Sequence, residues 1–210
     1  MNTISHTDTH PELAAVEVDG MSRQSFLIRG ALAAGAVYGT TMVSPFMRSA
    51  FAQSDMGDVD ILNFALTLEF LEADFYKKGQ KLNLSADVMK YAKQLGKQEQ
   101  EHVDALTATI KQLGGKPVSS PKFTFPITDE KSFLKLAQTL EDTGVSAYNG
   151  AGPSIKSKEV LGAAGSIVQI EARHAAVIRL LRGKVPAPDA FDKSLKTDAV
   201  LAAVKPLIKS

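Results

Sequence analysis

The chain has 210 residues, 24 basic against 23 acidic, for a net charge of +1. That length suffices for one domain with a sizeable core, and the near balance of charge excludes the basic face of a nucleic-acid binder. The absence of cysteine excludes disulfides, thiolate metal sites, iron–sulfur clusters and a cysteine nucleophile, so any metal must be held by oxygen and nitrogen.

Residues 1–52 read as an export signal that is removed. The stretch "MSRQSFLIRGALAAGAVYGTTMV" (21–43) places arginines ahead of and within an Ala/Gly-rich run too short and too mild to span a membrane comfortably. "AFA" (50–52) supplies the small residues of an A-x-A cleavage site, which would start the mature chain at Gln53. "SRQSFL" resembles the twin-arginine signal S-R-R-x-F-L, with Gln24 in place of the second arginine. The expectation is a periplasmic protein with no stable membrane anchor after processing, exported by the twin-arginine route or, as the alternative, by general secretion.

The rest of the chain, 53–184, reads as four helices, with 185–210 as a tail. Apolar residues at three- and four-residue spacing behind Asp58 or Asp60, either one a candidate N-cap, predict a helix over 58–81. A second helix, 85–113, has Ser85 as candidate cap and stops at Gly114-Gly115, with Pro117 beyond. The stretch 114–127 carries Pro117, Pro121 and Pro126. At roughly 3.3 Å per residue it can run the length of the preceding helix, so a crossover is expected. A third helix, 128–149, begins at Thr128 or Asp129. After the turn "GAGPS" (150–154) a fourth, 155–182, is stopped by Gly183 and Pro186. The tail holds a short amphipathic candidate at 197–204. No period-two alternation supports strands, and the expected class is all-α, an antiparallel four-helix bundle.

An internal repeat carries more information than the helix count. A shift of 72 residues takes "TLEFLEADFY" (67–76) onto "TLEDTGVSAY" (139–148), matching Glu69 with Glu141 and Tyr76 with Tyr148. The same shift takes Glu99 onto Glu171 and His102 onto His174, each pair an E-x-x-H, and these are the only histidines left after Gln53. On the apolar stripe of the second helix, Ala92, Leu95, Leu106 and Ile110 share a face with Glu99 and His102; Val160, Ala164, Ile167 and Ile178 do the same for Glu171 and His174.

Four carboxylates and two imidazoles therefore meet in a hydrocarbon core. Unpaired, each ionised carboxylate there costs several kcal/mol, out of a total stability of about 5–15 kcal/mol. Two divalent cations cancel four such charges. One glutamate from each of two helices plus Glu-x-x-His from each of the other two is the ligand plan of di-iron and di-manganese bundles. On that plan Glu69 and Glu141 are terminal ligands, Glu99 and Glu171 the bridging pair, and His102 and His174 complete the set. The competing reading is a metal-free hydrogen-bond network with protonated carboxylates.

Three residues flank this set. Glu72, one turn after Glu69, has Gly144 as its repeat partner; it reads as an alternative ligand, a support for the ligands, or a partly exposed acid. Tyr76 and Tyr148 read as core residues whose hydroxyls bond a ligand carboxylate, or else as electron donors to the metals. Gly144 leaves room for substrate or solvent, or for a close helix contact. Glu101, Asp104 and Arg173, beside the ligands in sequence, are expected at the surface.

"NFALTLEFLEADFY", "EQEHVDAL", "LAQTLEDTGVSAYNGAG", "VQIEARHAAVIRLLRGK" and "PAPDAFD" resemble the ferritin-like superfamily, most closely the ferritin-like group that includes desiccation-related proteins. The resemblance covers essentially all of the chain after Gln53. It implies a ferritin-like four-helix bundle with a carboxylate-bridged pair of metal ions, two iron or alternatively two manganese. It also implies dioxygen or peroxide as reaction partner in the better understood branches. A metal-dependent redox protein of the cell envelope is thus the leading expectation. A stress or desiccation-associated structural protein, braced by its metals or lacking them, is the alternative, and a homo-oligomer stays open.

Overall fold

Among the described residues five α-helices, α1 (Asp58–Gly79), α2 (Ala86–Gln112), α3 (Glu130–Ala151), α4 (Lys158–Leu181) and α5 (Thr197–Val204), follow the predicted order. The structure, a computed structural model, describes residues 57–209; the predicted export signal and its cleavage site lie outside the described residues. Within them the class is all-α, with a single isolated β-bridge between Phe123 and Ile208. No described helix is long and apolar enough to cross a membrane.

The helix ends follow local chemistry, with two departures from expectation. Gly114 (φ +75°) and Gly183 (φ +68°) end α2 and α4 in the left-handed conformation. The next amides, of Gly115 and Lys184, bond back to Ile110 and Arg179 at 2.9 Å, closing the terminal turn. Asp129 caps α3, accepting from the Ser132 amide at 2.7 Å. Asp58, however, does not cap its own helix. The N-cap is Gly57, and the Asp58 carboxylate accepts from the amides of Lys156 and Ser157, both 2.8 Å, in the turn that opens α4. Ser85 occupies the N-cap of α2 without a side-chain capping bond. Its amide instead donates to Glu130 at 2.5 Å, tying the start of α2 to that of α3.

Two reciprocal pairs of contacts fix the helix directions. Tyr76 reaches Glu141 while Tyr148 reaches Glu69, so ascending α1 descends α3. His102 faces Glu171 while His174 faces Glu99, so α2 and α4 are also antiparallel. With α1 and α2 joined as a hairpin through a short turn, α2 and α3 must run parallel, which makes 113–129 a crossover along the bundle. That segment is stapled to both ends of α1. The Val118 amide donates to the side chain of Asn63 at 2.8 Å, and Lys78 donates to the Phe123 carbonyl at 2.8 Å.

The core is layered around the polar level. On one side lie Phe75, Phe133, Leu95, Val88 and Ala137, with the Phe75 and Phe133 rings stacked at 5.0 Å. On the other lie Leu62, Leu66, Leu106, Ile110, Val160 and Ile167. The tail crosses α3 so closely that Gly150 has no alternative: a Cβ there would sit 1.9 Å from the Leu195 carbonyl oxygen. Beyond that crossing α5 buries Val200 and Val204, and Lys209 lies beside the crossover, its amide donating to the Lys122 carbonyl at 2.8 Å.

Candidate metal centre

Between the two apolar layers the structure brings all six predicted residues together. Glu69 comes from α1, Glu99 and His102 from α2, Glu141 from α3, Glu171 and His174 from α4. The four glutamates have no solvent exposure; His102 retains 9% and His174 3%. Their atoms form two groups, Glu69–Glu99–His102–Glu171 and Glu99–Glu141–Glu171–His174, with all ligand-type atoms of a group within 4.8 Å of one another. Glu99 and Glu171 belong to both groups, the position required of carboxylates that bridge two ions.

Contacts across the cluster are close, but not all of them form hydrogen bonds. Nδ1 of His102 has three carboxylate oxygens around it, of Glu171 at 3.0 Å and of Glu69 and Glu99 at 3.2 Å each. One N–H cannot serve three acceptors. Nδ1 of His174 lies 2.7 Å from Glu99 Oε1, yet both atoms lack a correctly angled hydrogen bond, as do Glu141 Oε2 and both oxygens of Glu171. Buried polar atoms are nearly always satisfied, and orphans at this density need a partner. Carboxylate oxygens and imidazole nitrogens within 4.8 Å of one another in each group fit a metal ion, by donor chemistry as well as by placement.

Electrostatics describe the same strain without metal. Burial raises Glu69, to about 7, even against the opposing bonds from His102 and Tyr148. Glu141 is raised by burial and the Glu99 charge, and Glu171 well up by burial and by Glu99 and Glu69. Glu99 goes the other way: its burial is outweighed by the imidazoles of His102 and His174 close beside it, which bring it to about 2. Burial lowers both imidazoles, but the surrounding carboxylates prevail, pushing His102 up to about 12 and His174 to about 10. Protons thus occupy the place cations would take, and ions binding here must displace them.

The flanking residues have settled positions. The Tyr76 hydroxyl donates to Glu141 Oε1, and the Tyr148 hydroxyl to Glu69 Oε1 at 2.5 Å, so each tyrosine holds a carboxylate of the opposite hairpin. Glu72 is not partly exposed: it is buried, 3% exposed, and burial together with the charges of Glu171 and Glu99 raises it well above the ordinary carboxylate range. Its carboxylate fills the room left by Gly144, where a Cβ would lie 3.3 Å from Glu72 Oε1 and 3.4 Å from Glu171 Oε2. The space expected there for substrate or solvent is therefore taken by a fifth carboxylate. Glu101, Asp104 and Arg173 are exposed.

Sequence reasoning passed over Gln98. Its Oε1 lies 2.9 Å from Nε2 of His174 and accepts the proton on the far side of the ring. The repeat hides it, because the matching position is Ile170; a polar residue immediately before a ligand glutamate is the only signal.

Residues 57–184 match the family profile described as a ferritin-like domain. Among solved structures, the chain is similar to a conserved hypothetical protein of Mycobacterium tuberculosis, with 18% identity, a TM-score of 0.57, and coverage of 64% of this chain and 96% of that one. At that identity the likeness is one of fold. No curated protein matches the chain.

Proposed function

The chain belongs to the ferritin-like domain family, and from that premise we propose that its buried Glu/His layer holds a dinuclear iron or manganese centre reacting with dioxygen or peroxide. The observation that carries this reading is the pair of four-residue groups sharing Glu99 and Glu171, with buried donor atoms that no hydrogen bond satisfies. Glu69 and Glu141 would each hold one ion from the side, Glu99 and Glu171 would bridge, and each ion would take one histidine nitrogen. Bound there, the ions would supply Lewis acidity and redox change for Fe(II) oxidation or peroxide dismutation. The chain's own residues do the rest. Tyr76 and Tyr148 orient the terminal carboxylates, and the apolar layers on both sides keep bulk water from the ligands. Export to the periplasm, proposed from residues 21–52, and a role in stress protection complete the reading.

A second reading rests on Glu72. A fifth carboxylate seated over Gly144 occupies the α1/α3 face of the centre, and a site closed by its own protein serves to brace a bundle rather than to react. On this reading the protein is a structural member of the desiccation-related group. The two separate in one experiment: protein loaded with iron or manganese is compared with its metal-free form for hydrogen peroxide consumption and Fe(II) oxidation. The redox reading expects either activity above the metal-free baseline. Neither activity, with unfolding temperature strongly raised by the metal, leaves the bracing reading.

A further inference from the structure

The two halves of the centre differ behind the histidines rather than in front of them. Nδ1 of both rings faces the carboxylates. Nε2 of His174 donates to Gln98 Oε1 at 2.9 Å, whereas His102 has Ile170 at the equivalent position and no Nε2 acceptor among the described residues. His102 is also the less protected ring, with 11% of its side chain exposed against 4% for His174.

We propose that the two metal positions bind with unequal affinity, the one built on Glu141 and His174 being the tighter, and that Gln98 is the positioning residue that sets the difference. The inference rests on the dinuclear reading above. By accepting the Nε2 proton, Gln98 fixes the tautomer that leaves the Nδ1 lone pair facing the ion, and it fixes the plane of the ring before any ion arrives. His102 must select both tautomer and orientation on binding, and water reaches it more readily. The ion at the Glu69–His102 position is therefore the first released and the first to exchange.

The test is a calorimetric titration of the metal-free chain, stripped with a chelator, with Mn(II) alone. The wild-type protein should bind in two steps of different affinity. Gln98→Leu should weaken the tighter step by about 10- to 100-fold and leave the weaker one in place, bringing the two together. Gln98→Glu, which keeps an acceptor oxygen, should restore the separation. Ile170→Gln should tighten the weaker step by giving His102 the acceptor it lacks. Unfolding temperatures of the metal-free variants separate these effects from damage to folding, and the Glu and Ile170 variants carry the test if Gln98→Leu does not fold. Two equal steps in the wild type, or a tighter step indifferent to Gln98→Leu, would overturn the inference alone. No uptake by the wild type would overturn the dinuclear reading and this inference with it.

Discussion

The α1–α2 hairpin and the α3–α4 hairpin agree at the six Glu/His positions and at the two tyrosines that hold them, and differ at the positions around these. Glu69, Tyr76, Glu99 and His102 have identical counterparts in Glu141, Tyr148, Glu171 and His174, while Phe75 corresponds to Ala147, Glu72 to Gly144 and Gln98 to Ile170. An apolar exchange such as Phe75 for Ala147 is absorbed by neighbours of different size. Here Phe133 stacks on Phe75 and fills the hollow over Gly79. A buried charge has no such latitude, because its partner lies on the other hairpin: Tyr76 serves Glu141, Tyr148 serves Glu69, and each histidine faces the other helix's bridging glutamate. Changing one member alone leaves an uncompensated group in the core.

The largest expected effect separates shared ligands from unshared ones. Glu99→Ala and Glu171→Ala should each abolish binding of both ions, whereas Glu69→Ala and Glu141→Ala should each lose one, measured as metal per chain. Equal losses from all four would break the assignment of bridging and terminal roles. Next, Phe133→Ala should cost about 3–5 kcal/mol in urea unfolding by emptying a fully buried site in the apolar layer beside Phe75. It should leave metal content unchanged, which would confirm that the apolar layer and the charged layer contribute separately.

A smaller effect concerns pH in the metal-free protein. Folded Glu69 keeps its proton to about 7 against 4.5 when unfolded, and His102 and His174 keep theirs to about 12 and 10 against 6.5. Over those ranges the folded chain binds more protons than the unfolded one, so stability falls as pH rises. Glu99, at about 2 when folded, acts oppositely, and its contribution is lost as pH falls below 4.5. The unfolding temperature in chelator should therefore be lower at pH 9 than at pH 5, and metal should reverse the order, since ions compete with protons for the same atoms. A metal-free protein more stable at pH 9 would contradict these directions. The smallest effect is the most symmetric one. Tyr76→Phe and Tyr148→Phe should each cost about 1–3 kcal/mol by removing a donor to a buried carboxylate, and the two costs should be close.

What was legible in the sequence follows the same division. Helix extents came from periodicity and the glycine stops, and the six-residue cluster from a repeat that needs no three-dimensional information. Whether α2 and α3 run parallel depends on pairs such as Tyr76–Glu141, so spacing could only favour the crossover. Asp58 reads as the cap of its own helix and instead serves the turn before α4, because a carboxylate bonds whichever amides the fold brings near. Glu72 and Gln98 resisted assignment for a different reason. A repeat highlights what is duplicated, and both owe their roles to what the other hairpin lacks, a side chain at Gly144 and a polar group at Ile170.

The measurement to make first is elemental analysis of protein purified without chelators from its native compartment, beside Glu99→Ala and His174→Ala. About two iron or manganese atoms per chain, with both lost in Glu99→Ala and the content lowered in His174→Ala, is the expected result for a bridged pair. A metal-free wild-type protein with the stability of its variants would contradict it, and would mean that protons alone hold the Glu/His layer together.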